Sequence, residues 1–218
     1  MKRFLTDKGL RTNEKIIAAA KRHFYEKGYE KMKIKELCDE IGVLPGTFTY
    51  YYKTKKDLLK AIYSNLYMYS YVFVGSRLTR KINSIEKNVY TTFIYFEGIL
   101  KDPRTKKFHL ENLRRETITN LMSENFNHVF RQFAKDNKMY IDDSALRILC
   151  MADQGMRREI TVDFLEGNDE SRSVDDFITD IFIFRSRLFK IDEAQMQIYL
   201  AHGQAFYDDN PSNAKLLI

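Results

Sequence analysis

The side chains best placed to do chemistry in this chain are hydroxyls, phenols and ammonium groups gathered between Lys33 and Lys55. Thr47, Thr49, Tyr50 and Tyr51 follow Pro45-Gly46 in one short run, and Lys33, Lys35, Lys53 and Lys55 flank it. Hydroxyls donate and accept hydrogen bonds, which suits them to base edges and sugar-phosphate in a DNA groove. Lysines, with the free amides at a helix start, suit phosphate oxygens, which position a protein without specifying sequence. Bond-breaking chemistry has no comparable cluster. His23, His109, His128 and His202 are scattered, and there is no HExxH, GxSxG, Gly-rich phosphate loop or Cys/His metal spacing. The expectation is no catalysis, no metal and no cofactor.

Those side chains need a rigid frame, and the sequence around them supplies one. Ile34, Leu37, Cys38 and Ile41 fall at i, i+3, i+4 and i+7, one buried face of a helix that Gly42 ends. Val43 turns inward, and Pro45 suits the first position of the next helix, where its missing N–H would be unpaired anyway. Phe48 and Tyr52 are spaced for the buried side of that second helix, leaving Thr47, Thr49, Tyr50 and Tyr51 partly or wholly outward. This is the layout of a helix-turn-helix, whose second helix enters the major groove. Short helix pairs with a glycine turn occur throughout all-α proteins, so the context matters. Upstream, Ile16, Ile17, Ala20 and Phe24 mark a third amphipathic helix closed by Gly28-Tyr29, and downstream Thr54-Lys55-Lys56-Asp57 is a capping box that starts another.

Ile16 or Ile17, Ala19-Ala20, Phe24, Gly28-Tyr29-Glu30, Ile34 to Leu37, Gly42-Val43, Gly46-Thr47-Phe48, Tyr50-Tyr51-Tyr52-Lys53, Lys55 and Asp57-Leu58 stand in a fixed order without a gap. This stretch, from about Thr12 to Leu59, resembles the tetracycline-repressor-like (TetR) family of transcriptional regulators. The resemblance covers the first quarter of the chain. It implies a homodimer that binds double-stranded DNA at a near-palindromic operator and is released by a small effector held in the helical body. There are departures. Met32-Lys33 stands where the family has threonines, and Leu44 where it has a serine cap, a loss that typically costs about 0.5–2 kcal/mol. Thr49 replaces a tyrosine that commonly faces the DNA.

Composition agrees with an all-α chain. Only three prolines and nine glycines interrupt 218 residues, and several of these sit at expected helix ends or starts. The expected architecture is a three-helix DNA-binding head over residues 1–56 and a larger helical effector-binding and dimerisation body over 57–218, about nine to ten helices in all. Net charge is +6, but residues 1–60 hold 15 Lys and Arg against 8 Asp and Glu, while the remainder holds 21 against 22. All the positive excess lies in the head, where phosphate would be neutralised. Cys38 and Cys150 look like small core residues of a reducing cytoplasm, and no apolar run is long enough for a membrane span. A cytoplasmic protein with no membrane partner is expected.

In the body, a helix from Thr54 to about Val74 is expected to lead out of the head. Helices follow through Ile82–Leu100, a short one from Asp102-Pro103, and a longer one from Leu110 through Leu121 to Phe133 with a kink near Ser123–Asn127. Three more run over about 143–165, 174–190 and 192–207, ahead of a polar tail. Those at 143–165 and 174–190 are apolar on more than one stripe, which means burial on two sides. Either the chain's own core supplies the second partner, or the pair meets its copy across a dimer interface, for which Leu149, Ala152, Met156, Phe177, Ile181, Phe184 and Leu188 are the candidates; the resemblance implies the latter. Aromatic residues are dense, and Tyr67, Tyr71, Tyr90, Phe93, Phe96, Phe126, Phe130 and Phe133 could surround an apolar cavity, with His109, Asn112 and Thr117 orienting a ligand. Aromatic residues at helical spacing are more often plain core. The competing reading is a helical small-molecule-binding or interaction module whose basic head binds an acidic partner or anionic lipid.

Overall fold

The computed structural model describes residues 6–115, 123–136 and 138–218, with the backbone alone for 123–128. The described residues form ten helices and no strand. The head holds α1 (Asp7–Lys31), α2 (Ile34–Ile41) and α3 (Pro45–Tyr51), and α4 (Lys55–Arg77) leads out of it. The body adds α5 (Ser84–Leu100), α6 (Pro103–Arg114), α7 (Ser123–Asp136), α8 (Asp143–Glu166), α9 (Val174–Leu188) and α10 (Glu193–Asp209).

Most starts are written locally. Thr6, Asn83, Asp102, Asp142 and Asp192 each accept a hydrogen bond from a backbone N–H three residues on, and Thr54 and Ser173 form complete capping boxes with Asp57 and Asp176. Among the helices whose preceding residue is described, only α2 and α3, preceded by Lys33 and Leu44, have no side-chain cap. These two short helices rely on tertiary packing, with Leu37, Cys38 and Phe48 almost wholly buried. The last turn of α1 breaks at Gly28, whose left-handed φ of 76° turns the chain so that Tyr29 stacks on Phe24 at 5.8 Å between ring centres.

The expected long helix from Leu110 to Phe133 is instead two. Leu110 and Leu113 belong to α6, which ends at Arg114, and Val129, Phe130 and Phe133 belong to α7. Leu121, Thr117 and the side chain of Phe126 lie outside the described residues. Apolar periodicity continued through a break because both helices face the same core.

At the centre of the body is α5, which packs against α4, α6, α7, α9 and α10. Ile85, Val89, Phe93, Ile94, Phe96 and Ile99 point several ways around it and are all buried. A helix apolar on every side is one surrounded by others. The core continues into the head, where Phe24 of α1 meets Phe108 of α6 at 5.4 Å. Cys38 and Cys150 are buried and not joined to each other.

The tail is not the free polar segment that its composition suggests. Leu216 and Leu217 are buried, the Leu216 N–H donates to the Gly98 carbonyl at 2.9 Å, and Lys21 of the head donates to the Lys215 carbonyl at 3.1 Å. Gly98 makes this possible: a Cβ there would lie 2.8 Å from Leu66 Cδ1 and 3.0 Å from the Ala214 carbonyl carbon. Gly98→Val is therefore expected to destabilise the protein by about 1–3 kcal/mol, the usual cost of overpacking, read as a lowered urea midpoint. An unchanged midpoint would mean that the tail does not pack here in solution.

Candidate functional site

The turn between α2 and α3 is set by Gly42. Its φ of 66° is left-handed, and the following N–H, that of Val43, donates to the Cys38 carbonyl at 3.0 Å. Leu44 is extended, and its carbonyl takes the N–H groups of Thr47 and Phe48. Phe48 is buried beneath α3, while Tyr52 donates to Asn13 Oδ1 at 2.6 Å and Tyr51 donates to the Gly9 carbonyl at 2.9 Å. Two phenols thus pin α3 onto α1.

The outer face of α3 carries Pro45, Gly46, Thr49 and Tyr50, all exposed, with Thr47 half-buried. Tyr50 is 59% exposed and meets Tyr51 edge-on at 5.1 Å. The Thr49 hydroxyl donates back to the Pro45 carbonyl at 3.0 Å, so it presents lone pairs rather than its proton to a partner. Tyr51 differs from the expectation: its hydroxyl is spent on α1. Leu44 was not foreseen as part of this face, yet it is 76% exposed at the start of α3. Its signal was an apolar residue at a cap position where a small polar one is normal.

Lys33, Lys35 and Lys53 are exposed. Lys33 lies 3.8 Å from Glu36, whose stronger partner is Lys27 at 2.8 Å. Lys55 corrects the phosphate-binding expectation. Its ammonium donates to the carbonyls of Tyr29, Met32 and Glu30 at 2.7, 3.2 and 3.3 Å and sits 4.5 Å from the Tyr29 ring centre. Carbonyls left without partners where a helix ends attract a cation, and this one is consumed there. Behind α2, the Glu40 carboxylate takes His23 Nε2 at 2.6 Å and Arg22; these hydrogen bonds hold its pKa below the usual carboxylate range.

In the body, the expected aromatic cavity is divided. Tyr90 and Phe93 face α10, stacked on Phe206 and Tyr207 at 4.9 and 6.0 Å, and the Tyr90 hydroxyl donates to Glu86. Phe130 stacks on Phe189 at 4.7 Å with Phe133 edge-on to it. Tyr71 is at the surface, 41% exposed beneath Lys87. His109 and Asn112 are buried on α6, with His109 Nδ1 2.9 Å from the Tyr63 hydroxyl and the Asn112 amide donating to the Phe108 carbonyl. Aromatic spacing could not separate these faces because each helix buries more than one stripe.

Tyr67 and Phe96 do border a void, of about 20 Å³, with Tyr95, Thr92 and Ile181, about the room one water needs. Its polar wall is Asn88, Arg157 and Arg185. Arg185 donates from Nε and Nη2 to the Asp153 oxygens at 2.7 and 3.1 Å and from Nη1 to Asn88 Oδ1 at 2.9 Å. None of these four polar residues was anticipated. Asp153 and Arg157 one turn apart in an apolar helix, and Arg185 inside the run Phe182-Ile183-Phe184, were the available signal.

Phe177 and Ile181, expected at a dimer interface, are wholly buried in the chain's own core. Leu149, Met156 and Leu188 are half-buried, and Ala152 is exposed. The exposed large apolar side chains of α8 and α9 are instead Ile148, Met151, Phe184 and Val174, at 59%, 60%, 45% and 41% exposure. One stripe of each helix faces in and the other out. Among the described residues, no group of three His, Cys, Asp or Glu could hold a metal ion, and no helix is long and apolar enough to cross a membrane.

Residues 16–62 match the family model described as bacterial regulatory proteins, tetR family. An uncharacterized HTH-type transcriptional regulator in the lacX 3'region of Lactococcus lactis subsp. lactis is 37% identical over 54 residues, 25% of this chain and 28% of that protein. The match thus spans little more than a quarter of that relative's length. In overall fold, the chain is similar to RolR solved without ligand, with a TM-score of 0.57 and 14% identity over 86% of this chain and 96% of that one. It is also similar to tylp, a tetr regulator from Streptomyces fradiae, with a TM-score of 0.54 and 15% identity over 94% of this chain and all of that one.

Burial, and then the nearby charge of Arg157, push the His109 pKa down from an ordinary 6.5 to about 3. The folded state therefore keeps this ring neutral while the unfolded chain binds a proton below pH 6.5, so its contribution to stability is complete above that pH and is lost as pH falls towards 3. Wild type should lose up to about 1.4 kcal/mol more per pH unit than His109→Gln across this window. Parallel stability–pH curves from urea titrations would refute that.

Proposed function

We propose that this chain, whose residues 16–62 match the tetR family of bacterial regulatory proteins, works as a homodimeric repressor released from a near-palindromic operator by a small effector held in its body. The observation that carries the reading is the outer face of α3. Leu44, Pro45, Gly46, Thr49 and Tyr50 stand clear of the head, with Thr47 beside them, and the exposed Lys33, Lys35 and Lys53 flank them. Residues 1–56 are the DNA-binding unit and 57–218 the effector-binding and dimerisation unit. No catalytic role is assigned to it.

On a duplex, Thr47, Thr49 and Tyr50 would meet base edges or sugar-phosphate, while the lysines and the free amides at the start of α3 would hold phosphates. Tyr51 and Lys55 act indirectly, by holding α3 and the end of α1 in place. The dimer forms through the outer stripes of α8 and α9, with Ile148, Met151 and Phe184 at its centre and Ala152 alongside. RolR has been solved in complex with its ligand resorcinol, which supports an effector site in a body of this fold. The helix α4 starts in the head and passes the void at Tyr67, so an effector that fits one tilt of α4 better than another changes the spacing of the two heads. Coupling of about 1–3 kcal/mol changes DNA affinity 5- to 150-fold.

Selection of bound sequences from a random duplex pool at two salt concentrations should enrich a palindrome, with binding that weakens as salt rises. On that sequence Tyr50→Ala is expected to cost about 1–3 kcal/mol if it reads a base, and Lys53→Ala to lower the salt slope by about one. A pool without enrichment refutes the reading. Separately, Met151→Arg combined with Phe184→Asp should convert a dimer into a folded monomer in sedimentation velocity at micromolar concentration; a persisting dimer would place the interface elsewhere.

A further inference from the structure

The stretch that opens and forms α3 is poor in groups that read bases by paired hydrogen bonds. Residues 44–51 are Leu-Pro-Gly-Thr-Phe-Thr-Tyr-Tyr, with no Arg, Lys, Asn or Gln among them. Arg and Lys read guanine, and Asn and Gln read adenine, through two bonds at once. Of the polar side chains that are present, Tyr51 is spent on the Gly9 carbonyl, and the Thr49 hydroxyl donates its proton to the Pro45 carbonyl. The hydroxyls of Thr47 and Tyr50 are left, and a lone hydroxyl serves more than one base. The large apolar side chain most open to solvent in this stretch is Leu44, at 76% exposure. Its backbone is extended, and it gives the first N–H groups of α3 no side-chain acceptor. A single exposed leucine is ordinary on a protein surface. This one stands where a small polar cap is normal, beside Pro45 and Gly46, which are also exposed. Nothing lies within 4 Å of the place that a Gly46 Cβ would take, so a partner has room to approach the backbone there.

The major groove offers one apolar group, the C5-methyl of thymine, and aliphatic side chains are what meet it. In a helix-turn-helix, the N-terminal residues of the second helix are those that reach base edges. We infer that Leu44 is a specificity-determining residue that packs on a thymine methyl in each half-site, so that the operator is chosen at this position by apolar contact and not by a hydrogen bond. This inference rests on the proposal that α3 faces DNA, and it specifies what the start of α3 reads. The occupant is duplex DNA because the surroundings are cationic. Lys33, Lys35 and Lys53 are exposed, and residues 1–60 hold 15 Lys and Arg against 8 Asp and Glu. Lysines are depleted where proteins meet proteins, whereas phosphates attract them. A methyl contact also takes the leucine out of water, which is favourable.

The test is titration of the full-length protein, followed by fluorescence anisotropy, on the palindrome enriched from the random duplex pool. In each duplex one symmetric pair of thymines is replaced by deoxyuridine, which removes only the C5-methyl. At one such pair binding should weaken about ten-fold, roughly three- to four-fold for each of two methyl contacts. Leu44→Ala and Leu44→Ser, each checked for folding by circular dichroism, should bind the thymine and deoxyuridine duplexes alike at that pair. Leu44→Ser supplies the missing cap, so its loss of preference cannot come from a loosened helix. Lys53→Ala is the control that weakens both duplexes equally. An enriched half-site without thymine, deoxyuridine tolerated within about two-fold at every pair, or a thymine preference that survives in both Leu44 variants would each overturn the inference. Those outcomes leave the regulator standing, because a palindrome was enriched. A pool without any enriched sequence sinks the regulator and this inference together.

Discussion

The ammonium of Lys55 on the carbonyls of Tyr29, Glu30 and Met32 determines how head and body are joined. A helix that ends at the surface leaves carbonyls without partners, and water can satisfy them. Here a lysine from the first turn of α4 does so instead, one residue after Thr54, whose capping box with Asp57 begins α4. The end of one helix and the start of another are thereby tied at one point. Since α3 is pinned to α1 by Tyr51 and Tyr52, the direction of the outer face of α3 depends on the same junction. The start of α4 and the outer face of α3 are thus linked through α1 by hydrogen bonds.

The body meets α4 through α5, which is enclosed by other helices. Within this apolar surround, Arg185, Asp153 and Asn88 link α9, α8 and α5 by three charge-assisted or polar hydrogen bonds. A buried ion pair adds little net stability, because desolvation offsets much of the attraction. Its consequence is geometric. Each donor has one acceptor at one place, so the three helices are held in a single register where aliphatic contacts alone would tolerate several. The void of about 20 Å³ lies against this cluster, where position is most narrowly defined.

Helices α8 and α9 divide their surfaces by the same periodicity. Phe177 and Ile181 are buried in the chain's own core, while Ile148, Met151 and Phe184 are exposed. In the tail, the Leu216 N–H donates to the Gly98 carbonyl of α5, and Lys215 offers its carbonyl to Lys21 of the head. Head and body are thus in contact through α4, through α1 against α6, where Phe24 meets Phe108 and Tyr25 donates to Asp102, and through the tail.

The sequence by itself determined what depends on a single turn of helix. Capping residues, the left-handed glycines at 28, 42 and 167, the 3.6-residue stripes and the order of residues in the head all act over a few positions, so the ten-helix layout and the helix-turn-helix were legible in it. The break between α6 and α7 was not, because apolar spacing persists across any connection that keeps facing one core. Only the tertiary structure decided which of several outward residues stay free. Lys55 and Tyr51 look available in sequence, but carbonyls 23 to 42 positions away claim them. The same holds for Phe177 and Ile181 and for the polar wall of the void: Asp153 and Arg185 stand 32 residues apart. A pattern along one helix shows that a side chain is buried or exposed, but which partner buries it is fixed by the packing of helices distant in the chain.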